Sequence, residues 1–182
     1  PSPEGQARIV LDHIDLAPDR NYIQNWLVAG PFDNSNGEGF DRAYPPEQNF
    51  DPDAVYHDKT GKPTGWRRAH GFPGNGLVLL SDLFEPSGDI VSYAAAIVRS
   101  PTEQSVDLFA GSDEGIKIWV NGELVHANDA LRAFIADEDH ATATVQQGDN
   151  LVLVKITNTT GQTGFALRFA TPRNPLQYTL PR

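Results

Sequence analysis

Residues 111–125, GSDEGIKIWVNGELV, contain the pattern that decides the fold. Asn121-Gly122 separates two segments that are rich in apolar residues, and this dipeptide accepts the two positive φ angles of a type I′ turn. The stretch therefore predicts a tight antiparallel β-hairpin. Short segments of the same kind, bounded by turn residues, recur on both sides of it.

Seven apolar or alternating segments occupy the C-terminal half of the chain, at residues 90–99, 105–110, 115–120, 123–126, 140–145, 150–158 and 164–169. Several short strands at this spacing are typical of a sandwich or barrel. The run LVLVKITN, which follows the turn at residues 147–150, is almost continuously apolar, so we expect a central strand that is buried on both faces. The fold class predicted is an all-β, antiparallel, jelly-roll-like β-sandwich.

The N-terminal half is less regular. Residues 24–30, QNWLVAG, predict a strand that ends at Gly30-Pro31, and residues 65–69 predict a short edge strand. Between them, residues 33–65 contain glycines and prolines at spacings too broken for a helix or a long strand. We predict a long irregular loop here, with at most short helical turns, and loops of this length are usually functional or mobile.

The length of 182 residues suits one domain with a single hydrophobic core. We place that domain at residues 21–171. Residues 1–20 are interpreted as a linker or N-terminal extension and residues 172–182 as a Pro-rich C-terminal linker. The chain then looks like one module of a longer protein.

Charge and composition exclude several classes of function. The formal net charge of −10 and a pI of about 4.8 repel phosphate backbones and anionic lipids, which argues against a nucleic-acid partner. No stretch approaches the roughly 20 apolar residues that cross a bilayer, so we expect no membrane insertion. The chain has no cysteine, which excludes disulfides, thiolate chemistry and Cys-based zinc sites.

Four sequence stretches carry a family resemblance: NWLVAGPFDNSNGEGFDRAYPPE at 25–47, GSDEGIKIWVNGELVHAND at 111–129, QQGDNLVLVKITN at 146–158 and GFALRF at 164–169. Together they resemble the β-sandwich accessory domain of large bacterial polysaccharide-processing proteins, over residues 24–170. The W-V-N-G hairpin is also similar to the sugar-binding jelly-roll domain of family 2 glycoside hydrolases, and more distantly to PA14 domains. The resemblance implies two antiparallel sheets, carbohydrate binding, and a secreted, periplasmic or cell-surface bacterial protein.

Acidic residues near the hairpin are candidate ligands for calcium, which takes about 6–8 oxygen ligands. In some PA14 lectins the paired acids of this turn bind calcium that in turn holds sugar hydroxyls, and the resemblance assigns that role to Asp113 and Glu114. Asp137 and Asp139 join them as predicted metal ligands. The alternative is structural: Asp113 accepts backbone N–H bonds in a turn, while Arg132 pairs with a neighbouring carboxylate.

Aromatic and polar side chains are the candidates for sugar contact, because sugar rings stack on exposed aromatic rings and their hydroxyls need polar partners. Trp26 and Trp119 lie in strongly apolar strands and are interpreted as core. The predicted carbohydrate-binding residues are Trp66, Tyr44, Tyr56, Asn128, Asp129 and Arg132.

No catalytic signature stands out among the 24 acids and five histidines. The leading hypothesis is a non-catalytic carbohydrate-binding module that targets an exported bacterial enzyme to polysaccharide. Two alternatives stay open: a structural module that packs against a catalytic domain or other neighbouring domains of the parent chain, and a polysaccharide hydrolase or lyase that uses acids of residues 137–139.

Overall fold

The computed structural model describes residues 21–85, 87–170 and 174–182, so the predicted N-terminal extension at 1–20 lies outside the described residues. Helical structure within these ranges comprises a 3₁₀ helix (Ser35–Phe40) and the single-turn helix α1 (Pro45–Gln48). The strands are β1 (Asn25–Asp33), β2 (Val55–His57), β3 (Pro63–Gly65), β4 (Arg67–His70), β5 (Val78–Leu79), β6 (Ile90–Ser100), β7 (Gln104–Ser112), β8 (Ile116–Val120), β9 (Glu123–Asn128), β10 (Asp139–Val145), β11 (Gly148–Asn158), β12 (Gly164–Ala170) and β13 (Gln177–Thr179).

The strands form two main sheets. The larger is seven-stranded in the order β4-β1-β6-β11-β8-β9, with β13 also paired to β6, and the smaller is four-stranded in the order β10-β7-β12-β5. All pairings are antiparallel, and β2 and β3 form a separate two-stranded hairpin. The predicted all-β sandwich is confirmed. β11 lies between β6 and β8, which also confirms its predicted central place.

The main core lies between the inner faces of the two sheets. Trp26 of β1 is fully buried there and packs edge-on against Phe165 of β12, with ring centroids 5.0 Å apart. Leu108 of β7 and Val154 of β11 belong to the same cluster. Each such side chain contributes about 1.5–3 kcal/mol through burial, so this face-to-face packing is the main source of stability.

The outer face of the larger sheet is covered as well. The chain that runs from β1 to β4 crosses it and builds a second apolar cluster, whose aromatic members include Phe32, Tyr44, Tyr56 and Tyr93. This explains why β6 and β11 are apolar on both faces. The loop predicted for residues 33–65 is thus a cover made of short helices and the β2–β3 hairpin, packed on the sheet.

The Asn121-Gly122 turn forms as predicted, with φ of 52° at Asn121 and 81° at Gly122, between the paired residues Val120 and Glu123. We expect Gly122→Ala to lower the free energy of unfolding by about 1–2 kcal/mol, because a Cβ disfavours this left-handed conformation. Gly122→Asn should cost less, since asparagine tolerates positive φ. Urea denaturation of both variants checks this, and an alanine variant as stable as the wild type would contradict it.

The C-terminal segment corrects the sequence interpretation. Residues 177–179, placed in a linker above, form β13 and pair with residues 97–99 of β6. Leu176 is buried and Tyr178 packs against the main core, so two apolar side chains at alternate positions attach this segment to the sandwich. The proline content obscured that alternation.

Among the described residues, no helix is long and apolar enough to cross a membrane.

Candidate functional site

Three of the predicted sugar-contact residues come together on the outer face of the larger sheet, around the β2–β3 hairpin. Tyr56 lies within β2, Trp66 follows β3, and the Trp66 Nε1–H donates to the Tyr56 hydroxyl at 3.1 Å. Tyr44 packs on the same cluster through Phe32, with ring centroids 5.1 Å apart. The structure therefore joins residues that are up to 22 positions apart in sequence into one aromatic cluster.

The two tyrosines do not form the exposed stacking platforms that the sequence predicted. Tyr44 and Tyr56 are each only 7% exposed, and Phe32 packs against both of them. The Tyr44 hydroxyl donates to the backbone carbonyl of Asp33. Both rings are part of the second core, because the covering segment folds back onto the sheet. Trp66 is partly exposed.

A cavity of about 720 Å³ opens between β2 and the end of β1. Its floor and walls combine the aromatic residues Phe32, Tyr44 and Tyr56 with polar side chains. The full lining is Phe32, Asp33, Arg42, Tyr44, Pro45, Val55, Tyr56, His57, Asp58 and Lys59. This volume lies within the range of roughly 300–1,000 Å³ that is usual for small-molecule sites.

The polar groups of this cavity differ in how strongly the protein engages them. Hydrogen bonds from Ser35 to the Asp33 carboxylate lower the pKa of that group. Lys59 donates to the carbonyls of Gly88 and Asp89 at 2.9 and 2.8 Å. Arg42 and His57, by contrast, are exposed at the rim. The Arg42 guanidinium lies 5.1 Å from the Tyr44 ring centroid. These two side chains are therefore best placed to bind a ligand.

A second cavity, of about 410 Å³, lies on the other side of the hairpin. Trp66 lines it together with Lys62, Arg67, Glu85 and, at the hairpin tip, Asp58, which lines both cavities. We call the two cavities and the hairpin between them the hairpin site.

One wall of the hairpin site is held by a buried lysine. The Lys155 ammonium donates to the carbonyls of Phe40 and Arg42 at 2.9 and 2.8 Å and to Glu47 Oε1 at 2.8 Å. Lys155 is 1% exposed, and Tyr93 also donates to Glu47. Burial lowers the pKa of Lys155, and the contact with Glu47 opposes that effect. The lysine therefore pins residues 40–47 to the sheet.

The other predicted sugar-contact residues lie elsewhere, where β9 leads into β10. Asn128 Nδ2 donates to Asp139 Oδ1 at 2.9 Å, and Arg132 binds both oxygens of the same carboxylate. His126 Nε2 lies 3.3 Å from it. Asp129 is exposed beside them. Asn128 and Arg132 are thus committed to a buried ionic network, and the structure does not bring them to the hairpin site.

The four predicted metal ligands do not assemble into one site. Asp137 forms a two-pronged ion pair with Arg168, at 2.9 Å for each contact, and Asp139 belongs to the Arg132 network. Glu114 Oε2 accepts from the Thr159 amide at 2.6 Å, and burial together with the neighbouring Glu114 raises the pKa of Asp113.

Within the described residues, no group of three or more His, Asp or Glu side chains is close enough to hold a metal ion. These acids therefore do not fit a shared calcium site. Of the structural alternative, the structure shows the pairing of Arg132 with a carboxylate, and the hydrogen bonds of Asp113 stay a prediction. Bound calcium itself stays a prediction.

Sequence reasoning missed Arg42, His57 and Lys155. Arg42 and His57 lie in a segment without periodicity, and only the folded cover brings them to one cavity. Lys155 did carry a signal, because it is the one charged residue inside the apolar run LVLVKITN. A charge on a strand predicted to be buried on both faces requires a partner, and that partner is Glu47.

No protein-family model matches the chain, and no curated protein matches it. Among solved structures, an anti-sigma factor domain-containing protein from Clostridium clariflavum aligns with a TM-score of 0.50 at 11% identity, over 86% of this chain and 47% of that chain. This chain thus spans about half the length of that relative.

Two further solved structures align less well. A family 35 carbohydrate binding module from Clostridium thermocellum has a TM-score of 0.35 at 19% identity, over 45% of this chain and 72% of its own. The PA14 sugar-binding domain of an RTX adhesin has a TM-score of 0.38 at 15% identity, over 50% and 56%. The alignment with the anti-sigma factor domain-containing protein shows the fold alone, because the identity is only 11%. The similarity to family 2 glycoside hydrolases stays a prediction.

Proposed function

We propose that this chain is a non-catalytic carbohydrate-binding module of an exported bacterial enzyme, and that its ligand binds at the hairpin site. The observation that carries the proposal is the cavity of about 720 Å³, in which an aromatic floor meets exposed polar side chains. Sugar rings need this combination, because their C–H faces pack on apolar surface while their hydroxyls need hydrogen-bond partners. Arg42 can donate hydrogen bonds to sugar hydroxyls, and His57 can both donate hydrogen bonds to them and accept hydrogen bonds from them.

The ion pairs that Asp137 and Asp139 form with arginines favour a binding function over a hydrolase function. Asp137 and Asp139 are the acids on which a hydrolase or lyase mechanism would depend, and Arg168 and Arg132 hold them as ion pairs. A carboxylic acid that acts as a general acid near neutral pH needs a raised pKa, whereas the pKa of Asp139 is lowered. Burial alone would raise the pKa of Asp139, but hydrogen bonds from His126, Arg132 and Asn128 outweigh it and lower the pKa.

We expect the purified protein to bind at least one polysaccharide in calorimetry or affinity electrophoresis, measured across plant and algal polymers with and without calcium. Arg42→Ala and His57→Ala should each weaken that binding by about tenfold, since each removes hydrogen bonds that involve a charged or polar group. His140→Ala is the control, because His140 is exposed on the smaller sheet. Absence of binding to every polymer would overturn the proposal.

A second candidate function is favoured by exposed apolar side chains. Leu131 and Ile135, in the connection between β9 and β10, are 84% and 58% exposed. Exposed apolar patches on a domain often mark protein contacts. A module that packs against a catalytic domain would use such a surface. It becomes the leading candidate if no polysaccharide binds and the protein is folded.

A further inference from the structure

The basic residues of this acidic chain are concentrated at the hairpin site. Residues 59–70, KTGKPTGWRRAH, contain four of the 14 Lys and Arg residues and none of the 24 Asp and Glu residues. The whole chain has a net charge of −10. This segment comprises β3, β4 and Trp66, so it borders the smaller of the two cavities.

The lining of the two cavities reverses the charge balance of the chain. Four basic residues, Arg42, Lys59, Lys62 and Arg67, face three acids, Asp33, Asp58 and Glu85. Outside the cavities, Arg68 is exposed two residues beyond Trp66, on the edge strand β4. Among the described residues, its guanidinium makes no hydrogen bond or ion pair.

Two of the three lining acids accept hydrogen bonds within their own turns, and two of the lining cations, Lys59 and Arg67, donate to backbone carbonyls. The Asp58 carboxylate accepts from the Thr60 amide and hydroxyl at 2.8 and 2.7 Å and from the Lys62 amide at 2.9 Å, within its own turn. Asp33 accepts from Ser35 in the same way. Glu85 makes no such bond among the described residues. Lys62 and Arg68 are exposed, and neither side chain donates a hydrogen bond among the described residues, although the Lys62 charge helps to lower the pKa of Asp58.

We propose that the ligand of the hairpin site is an acidic polysaccharide, with carboxylate groups that bind Lys62 and Arg68 on either side of a sugar ring at Trp66. This inference rests on the proposed function and adds the class of ligand. A guanidinium binds a carboxylate through two parallel hydrogen bonds, which gives direction as well as charge. Trp66 supplies the partly exposed ring, since it lines the smaller cavity together with Lys62 and precedes Arg68 by two residues.

The net charge of −10 repels an acidic polysaccharide less strongly than it repels nucleic acid. Charges farther away than the Debye length of about 8 Å are screened at physiological salt, so the local cations dominate for a sparsely charged polymer. Duplex DNA carries one charge per roughly 1.7 Å and brings many phosphates close to the acidic remainder of the surface. A polymer with one carboxylate per sugar ring does not.

The test uses two acidic polymers, polygalacturonate and alginate, each compared with its esterified form, in which the carboxylate charge is removed. We expect at least one acid form to bind about tenfold or more tightly than its ester in calorimetry, with a preference that falls as salt rises. The double variant Lys62→Gln/Arg68→Gln should lose about tenfold in affinity for the acid form and almost nothing for the ester.

The control variant, Arg99→Gln/Arg182→Gln, removes the same amount of charge from side chains that line neither cavity of the hairpin site, and it should bind like the wild type. Equal affinity for acid and ester forms, or a preference for neutral polymers, would overturn the acidic ligand and leave the proposed function intact. Single-stranded DNA bound more tightly than every acidic polysaccharide would also overturn it. Absence of binding to any polysaccharide would instead contradict the proposed function itself.

Discussion

Lys155→Met is expected to lower the free energy of unfolding by about 3–5 kcal/mol, because removing one member of a buried ion pair leaves its partners without compensation. Methionine keeps most of the apolar stem but donates no hydrogen bond. The carbonyls of Phe40 and Arg42 lose the lysine donor, and Glu47 keeps only the hydrogen bond from the Tyr93 hydroxyl. Urea denaturation at pH 7 measures the loss, and a domain with a typical 5–15 kcal/mol of stability should still fold.

The loss of stability in Lys155→Met should be concentrated in residues 40–47, because Lys155 joins the covering segment to the sheet. We expect trypsin to cleave after Arg42 much faster in Lys155→Met, and backbone amides of residues 40–47 to exchange faster, while amides of β7 and β12 stay protected. Polysaccharide binding should weaken in parallel, since Arg42 and Tyr44 form a wall of the larger cavity.

Lys117→Met is the matched control. Lys117 lies directly opposite Lys155 in the β8–β11 register, and its ion-pair partner Asp41 is exposed. Because the Asp41 side chain is 91% exposed, this pair should contribute about 0–1 kcal/mol, and the Phe40 ring, 4.1 Å from the Lys117 ammonium, should add about 0.5–1 kcal/mol. Equal losses of stability in the two variants, or unchanged cleavage after Arg42 in Lys155→Met, would contradict the role of Lys155 as the anchor of this segment.

The β-sandwich was predictable because its signals are local. Asn121-Gly122 sets a turn through its own φ preferences, and the alternation around it places Ile116, Ile118 and Val120 on the inner face. The continuous apolar run of β11 is also a local signal, and it indicated burial on both faces. None of these inferences needs a distant part of the chain.

The hairpin site was predictable only in part, because it depends on where the covering segment folds. Trp66 and Tyr56 were selected as aromatic residues in an irregular segment, yet nothing local indicates that Tyr56 turns inward onto Phe32. Likewise, the sequence does not show that Asp139 meets Arg132, seven residues away, instead of a metal ion. The apolar outer face of the larger sheet drives the packing of Tyr56, whereas the folding of the connection between β9 and β10 brings Arg132 to Asp139.

Asp139→Asn is expected to lower the free energy of unfolding by about 3 kcal/mol at pH 7, since the carboxylate is buried and its loss leaves Arg132 paired only with Glu138, whose side chain is 35% exposed. The effect should depend on pH in a defined direction. The Asp139 pKa is lowered in the folded state, so its contribution is present above its ordinary pKa of about 3.9 and is lost as the pH falls toward the folded-state value.

Denaturation of wild type and Asp139→Asn at pH 7, 5 and 3 therefore provides the decisive comparison. The difference between them should be similar at pH 7 and pH 5, where Asp139 is ionised in both states, and smaller at pH 3, where the unfolded chain binds a proton that the folded one does not. Asp149→Asn is the control, because Asp149 pairs with Arg99 at an exposed position and should change stability little at any pH. A pH-independent difference for Asp139→Asn would mean that the side chain acts through its shape, and the ionic network that joins β9 to β10 would then have no electrostatic role.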